Sequence, residues 1–541
     1  MRITGVSLTN FRSFGETQTI DIAPVTLLFG PNSVGKSTVL MSLAYIQEIL
    51  ENGHCDPKRL FSLGDKPVGG FRSLVFSQDL ERPIKIRIDY EVGKTILGDY
   101  ASEVEELASH LGHSFLLMPD IGGSINNGAI EIEVAWSKQF ARAYVRHYRT
   151  WINGQFIAQV SSSEDLKDTR VSELNTDHPI LLPEANDEWL EEQGYSHTIM
   201  PGEYLTGFEE IIDGLNPNAM SLGPMKIPEG IATHSRRLGD IALTCRHGAI
   251  PLLGRHVDVR LAGKDIDDME KHIDYLVVRD TLSQILVEPL DRLLALLKET
   301  VFIGPLRLIP GSDYTPNPYP DQSDWVDGAA AWDLLSRNPN RNKDAQALIK
   351  KTSEWLSQSD KLDAGYEIVN KSISEYADLG SHPDSLGFLE QRHVYFKDLK
   401  TGINLSASQL GTGISQVLPI VVAACSEKPG LVSVEQPELH IHPRLQVELA
   451  DVLLREKEKH SFLIETHSEH IILRLLKRIR QKSDNELPEG YPSVGQEDIS
   501  IVYLEPTKNG VLTRRIRVDE DGEFVDRWPQ GFFVERREEL L

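Results

Sequence analysis

The chain runs to 541 residues, enough for more than one domain and a large buried core, and its 40% apolar and 25% charged residues are the balance of a globular protein. Acidic residues outnumber basic ones by 81 to 56, giving a net charge of -25. That excess argues against indiscriminate nucleic-acid binding by the whole surface, while leaving room for a local basic groove or a basic partner.

The three cysteines, Cys55, Cys245 and Cys425, lie far apart and form no CxxC pair, which speaks against a disulfide framework or a cysteine zinc site. The opening MRITGVSLTNF lacks the continuous apolar core of a signal peptide. The longest clearly apolar run, Leu418 to Cys425, falls well short of the roughly 20 residues a membrane helix needs. The expected location is the cytoplasm, with no membrane partner.

In chain order, Arg2 to Leu8, Thr17 to Ile22 and Val25 to Phe29 read as strands, followed by a glycine-rich loop and a helix over Ser37 to Leu50. Short strands of the antiparallel kind follow at Ile84 to Tyr90, Ala129 to Trp136, Ala141 to Tyr148 and Gln155 to Val160. From about 161 to 299 polar clusters interrupt the apolar segments, and helical spacing appears at Asp265 to Val278 and Leu282 to Lys298. No internal repeat or sustained heptad is visible, which disfavours a long coiled-coil arm.

Asp313 to Gln322 is a Pro-rich loop. The last third alternates again. Strands are expected at Val394 to Asp398, Gly430 to Val434, Ser461 to Ile464 and Ile501 to Leu504, with helices at Gly413 to Cys425, Arg444 to Lys457 and Glu469 to Arg480. The expected organisation is an α/β ATPase head drawn from both ends of the chain. Residues 1–160 form its N-terminal half with an antiparallel β subdomain, 161–300 a mostly helical insertion, and 301–541 its C-terminal half.

The chemistry begins at Gly30, Pro31, Asn32, Ser33, Val34, Gly35, Lys36, Ser37 and Thr38. This fits G-x-x-x-x-G-K-[ST] between a strand and a helix, the context that gives the motif its meaning. The glycines let backbone amides curl around phosphates at a helix N-terminus. Lys36 is placed for the β and γ phosphates, and Ser37 offers a hydroxyl to Mg2+. The ligand expected is ATP with Mg2+.

The apolar strand at Gly430 ends at Glu435, the shape of a Walker B motif whose carboxylate orders the magnesium shell. Leu463 to His470 (LIETHSEH) is a second buried strand ending in polar residues, and His467 sits where a neutral imidazole reaches a γ-phosphate. His440 and His442 make an HxH near Glu438, without the third ligand a metal site would need. The basic run Arg474 to Lys482 alternates with Leu and Ile, as a solvated helix face does, although contact with phosphates is an alternative.

NFRSF, GPNSVGKST, VEQPELHIHP and ETHSEH together resemble the ABC-type ATPases grouped with the RecF, SMC and OLD proteins, over about the first 90 and last 160 residues. WPQGFF (Trp528 to Phe533) and FIGPLR (Phe302 to Arg307) resemble a narrower bacterial group with a DUF3696-type C-terminus, and within it the PtuA family of Septu-type and retron-linked antiphage systems. The resemblance implies an ABC-type P-loop ATPase head, a mixed sheet with flanking helices and an antiparallel β subdomain, split by the helical insertion.

The resemblance also implies that Arg12 helps hold the nucleotide. Asn404 to Leu418 stands where the family keeps its signature motif, so that Ser408, Gly411 and Gly413 would close over ATP held by another subunit, although the segment departs from LSGGQ. Gln78 is a candidate Q-loop glutamine, with a surface turn as the alternative. Relatives carry a glutamate after the Walker B acid, where this chain has Gln436. An amide orients water but cannot take its proton. Either hydrolysis is slow and ATP acts as a clamp, or Glu438 or His467 carries more of the work.

An OLD-type protein would add a Toprim nuclease, for which the stretch after His467 is too short, and no HNH or Cys/His nuclease motif appears. The function implied is an ATPase of an antiphage complex that controls a partner nuclease through a head-to-tail dimer. The partners are a PtuB-like HNH nuclease and, in retron systems, a reverse transcriptase with its RNA–DNA product. The alternatives are a RecF- or SMC-like repair ATPase acting on DNA directly, and a non-catalytic nucleotide-gated scaffold.

Overall fold

The computed structural model describes residues 1–93, 100, 121, 125–176, 178–181, 225–227, 230–232, 241–245, 247–260, 269–311, 313–378, 386–428 and 430–529. The chain divides into two compact units that interleave in sequence. One comprises Met1–Thr17, Tyr45–Lys58 and Gly69–Leu296, and the other Gln18–Ala44, Arg59–Val68 and Leu297–Leu541.

The first unit is built on antiparallel strands. They run in the order Val259–Arg260, Ala242–Leu243, Thr169–Leu174, Gln155–Ser162, Arg142–Ile152, Asn127–Ser137, Ile84–Glu91 and Arg2–Thr9. Alternation sets the two faces, as expected of half-buried strands. In Ile84–Glu91 the apolar Ile84, Ile86, Ile88 and Tyr90 are buried, while Lys85 and Arg87 face Glu133 and Glu131 of the next strand.

Residues 161–300 add strands as well as helices. The helices Met269–Leu286 and Glu288–Lys298 are present, and Thr169–Leu174 joins the sheet by burying Val171 and Leu174. The break between the two helices falls later than the spacing suggests, because Pro289 belongs at a helix start, where its missing N–H is no loss. Tyr148 anchors the first helix by donating its hydroxyl to the Leu286 carbonyl at 2.8 Å.

The second unit holds a mixed sheet. Its order is Val301–Ile303, Gly430–Glu435, His460–Glu465, Val25–Phe29, Ile499–Thr507 and Gly510–Arg515. The first five strands are parallel to their neighbours, and the last is an antiparallel edge. The central strands are near-continuous apolar runs because both their faces are covered. Val25, Leu27, Leu28 and Phe29 are fully buried.

The helices Thr412–Cys425, Pro443–Arg455 and Glu469–Ser483 pack their apolar faces into the same core. Further elements escaped the sequence reading, among them the strand Val301–Ile303, the helices Ala329–Leu335 and Lys343–Ser357, and the strands Tyr366–Asp378 and Gly510–Arg515. The first two span three and seven residues, too few for a repeated period to stand out. Lys343–Ser357 starts at Asn342, whose side chain accepts from the Ala345 amide.

Trp528, the first residue of the WPQGFF segment, packs edge-on against Phe29, Tyr503 and Phe524, with centroids 5.2, 6.3 and 5.4 Å away. Residues 530–533 of that segment lie outside the described residues. Phe29 thus joins the strand that delivers the glycine-rich loop to the C-terminal segment. Phe29→Ala is expected to cost about 3–5 kcal/mol, read as a lower urea midpoint.

Candidate functional site

Three neighbouring parallel strands bring the site together. Glu435 pairs in register with Glu465, and Glu465 with Leu28, one residue before the end of the strand that leads into the loop. Two acids and the glycine-rich loop therefore leave the sheet at one edge, the carboxyl ends of the strands, where open α/β sheets place their ligands.

The loop has the backbone that a phosphate cradle requires. Gly30, Ser33 and Gly35 all have positive φ, at 145°, 63° and 119°. Gly30 admits no side chain, since a Cβ there would stand 2.6 Å from the Leu504 carbonyl oxygen. The helix Lys36–Asn52 follows at once. Pro31, Asn32 and Ser33 are exposed, while Val34, Lys36 and Thr38 are buried.

Lys36 donates to the carbonyls of Gly30 at 3.0 Å and Pro31 at 3.1 Å, and its Nζ lies 3.2 Å from His467 Nε2. Glu465 stands 3.8 Å from the same ammonium. Burial pushes the Lys36 pKa down, against the pull of Glu465, Glu438 and Glu435. Ser37 donates its hydroxyl to Glu465 Oε2 at 2.7 Å. The Glu465 pKa is raised, first by burial and then by Glu435, with Ser37, Lys36 and Lys66 opposing.

Glu438 lies behind this cluster with both oxygens engaged. It accepts from Thr466 Oγ1 at 2.7 Å and from the His467 amide at 2.8 Å. Those bonds fix the backbone that carries His467. Ser468 then opens the next helix by accepting from the Ile471 amide. Gln436 has φ 44°, and its amide donates to the Glu465 carbonyl at 2.7 Å, which ties the two strand ends together.

The remaining sequence candidates are not among the residues that make these contacts. Ser408 and Gly411 are exposed in the loop before the helix, and Gly413 is half-buried in its first turn. Ser406 and Gln409 close that loop as a capping box, and Gly411 starts the helix Thr412–Cys425. Arg12 and Gln78 belong to the first unit and both have positive φ, at 51° and 57°. Arg12 donates its amide to Leu74, and burial lowers its guanidinium pKa. Gln78 is exposed on a short turn.

His442 accepts from the Arg444 amide as a helix cap, and among the described residues no three His, Cys, Asp or Glu side chains are grouped to hold a metal. The basic run of Glu469–Ser483 is partly spoken for, with Arg474 and Arg478 both bonded to Asp451. Among the described residues no helix is long and apolar enough to cross a membrane.

Two family models match this sequence. One, described as "AAA domain, putative AbiEii toxin, Type IV TA system", matches residues 288–473, and one described as "AAA ATPase domain" matches residues 1–135. Both sides of the phosphate site thus carry AAA-type ATPase sequence. No curated protein matches the sequence significantly.

Among solved structures, the SMC head domain from Thermotoga maritima is 8% identical, with a TM-score of 0.37 over 96% of this chain and 100% of that one. An SMC head bound to the C-terminal winged-helix domain of ScpA is 9% identical, with a TM-score of 0.36 over 96% and 99%. An Smc head with an extended coiled coil, bound to the C-terminal domain of ScpA derived from Pyrococcus furiosus, is 10% identical, with a TM-score of 0.36 over 95% and 96%.

Two residues that the sequence reading passed over belong to the site. Glu465 ends an apolar strand just as Glu435 does, and that repeated pattern was its signal. Arg307 ends the FIGPLR segment. It donates to the carbonyls of Glu435 at 2.9 Å, Gln436 at 3.3 Å and Gln416 at 3.3 Å, while Gln416 Nε2 donates to the Arg307 carbonyl at 2.8 Å. Burial lowers its pKa to about 10, against Glu438.

Arg307 therefore links the turn after Glu435 to the helix that follows the signature-like loop. Arg307→Met should cost about 2–4 kcal/mol in urea unfolding, because it leaves buried carbonyls without their donor.

The oxygen donors Ser37, Glu435 and Glu465 beside a positive-φ loop and a lysine suit a phosphate chain with a hard divalent cation, which needs few protein ligands. The His467 pKa is lowered by burial and then by Lys36, against Glu438. Its folded pKa lies below the unfolded value of about 6.5, so the stability this ring contributes is complete above that pH and is lost as pH falls below it. His467→Gln should flatten the decline in urea midpoint between about pH 7.5 and pH 5.5 relative to the unaltered chain.

Proposed function

We propose that this chain is the ATP-binding and ATP-hydrolysing subunit of a bacterial antiphage defence complex of Septu or retron type, acting as an ATP-sandwiched head-to-tail dimer that controls a partner nuclease. The observation that carries the ATPase reading is the convergence of Lys36, Ser37, Glu435, Glu465 and His467 at one sheet edge. The loop amides from Gly30 to Thr38 take the phosphates. Lys36 exchanges its two carbonyl partners for phosphate oxygens. Ser37, Glu435 and Glu465 hold Mg2+, which neutralises charge on the phosphates.

Glu438 acts as a positioning residue for His467, since both its oxygens already hold the turn that carries that ring. His467, kept neutral, meets the γ-phosphate. Gln436 orients the attacking water without taking its proton, so turnover is slow and the bound state long-lived. Ser408 and Gly411 are exposed and Gly413 is half-buried in the first turn of the helix that follows, where they would be offered to a second subunit's nucleotide.

Two things support the defence role. One is the family model whose description names the AbiEii toxin, and the other is the resemblance of WPQGFF and FIGPLR to the DUF3696-type and PtuA group. The nuclease partner is a PtuB-like HNH protein, joined in retron systems by a reverse transcriptase and its RNA–DNA product.

ATP binding and hydrolysis by the purified chain test this. Lys36→Ala should weaken ATP binding at least about a hundredfold, and Gln436→Glu should raise turnover about tenfold or more. Turnover unchanged by Gln436→Glu would mean that this position does not limit the rate. Strong stimulation by DNA alone would favour the RecF- or SMC-like repair reading. Failure to co-purify with a nuclease encoded by a neighbouring gene would sink the defence role.

A further inference from the structure

Each strand-end acid is met by a lysine. Lys36 serves Glu465, and Lys66 lies 3.8 Å from Glu435 Oε1. Lys66 has no place in the phosphate-loop motif, and the proposed function gives it no role.

Its position is built by a small hairpin. Arg59–Leu60 pairs antiparallel with Lys66–Pro67 around the turn Phe61–Leu63. Gly64 and Asp65 both take left-handed backbone, with φ 66° and 58°, and the Gly64 amide donates to the Phe61 carbonyl at 3.0 Å. Asp65 pairs with Arg59 across the hairpin. A Cβ on Gly64 would come within 3.3 Å of Val326, so the turn is seated closely against that residue. Gly64 takes this backbone freely, while Asp65 takes it at a conformational cost, and Lys66 follows directly.

The pair itself adds little stability. The Lys66 and Glu435 side chains are 37% and 19% exposed, and 3.8 Å is beyond hydrogen-bond length. What the geometry does supply is a second cation at the acid that would otherwise repel a phosphate chain. Glu435, Glu438 and Glu465 crowd this edge; Lys36 meets Glu465 and Arg307 is held by backbone carbonyls, so among the described residues Lys66 is the cation that faces the Glu435 carboxylate.

We propose that Lys66 is a cation of the nucleotide site that competes with Mg2+ for Glu435. It screens Glu435 when nucleotide enters without a metal, and it yields the carboxylate when the divalent ion is bound. This rests on the ATP-binding reading of the same site. It makes two affinities move in opposite directions when the charge is removed, which a scaffold role for the hairpin would not do.

The test uses the full chain and a fluorescent ATP analogue, titrated once in EDTA and once in Mg2+. Mn2+ affinity of the ADP-bound protein is measured in parallel by electron paramagnetic resonance. Lys66→Met and Lys66→Gln are each expected to weaken nucleotide binding in EDTA by about three- to tenfold and to tighten Mn2+ binding by a similar factor. Lys66→Arg, which keeps the charge, should bring both values back toward those of the unaltered chain.

Both affinities weakening together would assign Lys66 to the scaffold and overturn the proposal, as would no change in either. If the unaltered chain binds no nucleotide under either condition, or Lys36→Ala binds as well as it does, the phosphate-loop reading fails instead.

Discussion

Ser37 donates its hydroxyl to Glu465 at 2.7 Å, and the bond exists because two strands run parallel in a single register. Val25–Phe29 and His460–Glu465 are separated by more than four hundred residues, yet Leu28 lies opposite Glu465. A slip of one residue would turn Glu465 to the other face of the sheet. Lys36 would then lose its closest carboxylate, and His467 would leave the edge. The two central strands are buried on both faces, so register here is held by packing on each side as well as by the ladder.

The same edge explains why several polar residues are buried without partners from the solvent. Thr466 and Ser433 are fully buried, and each has a bond to a neighbouring strand end or turn. Arg307 extends this outward. Its guanidinium has no carboxylate at bonding distance among its partners and is held by carbonyl oxygens instead. A buried cation held in that way is costly, and its partners are the two residues at the end of the Glu435 strand and a residue of the helix behind the signature-like loop. A shift of that helix would be felt at Gln436 through one side chain.

What could be read without a structure divides by range. The phosphate loop was legible because its nine residues contain their own geometry: the glycines, the lysine and the helix start are all local. Glu435 was legible because it ends a buried strand, and His467 because it lies just past the end of another. Glu465 was overlooked although it ends a strand in the same way, because the eye stops at the histidine two residues on. Lys66 and Arg307 were not legible. Their relation to Glu435 spans hundreds of residues, and nothing in RLFSLGDKP or FIGPLR encodes which strand end each will meet. Short elements such as Val301–Ile303 were missed for a related reason, since three residues carry no period.

Gln436 is the point at which these contacts meet. Its backbone sits at φ 44°, a conformation that costs a side-chain-bearing residue roughly 1–3 kcal/mol. It is held there from both sides, by its amide on the Glu465 carbonyl and by Arg307 on its own carbonyl. A glycine would adopt this backbone without strain, so the turn by itself gives no reason for a glutamine. A role for this residue therefore lies in its side chain, carried on a turn that directly follows Glu435. Because the backbone is fixed by its own N–H and carbonyl and not by the side-chain carboxamide, exchanging that carboxamide for a carboxylate changes the side chain's chemistry and little else. This makes the position a clean place to ask whether proton transfer limits the reaction at this edge of the sheet.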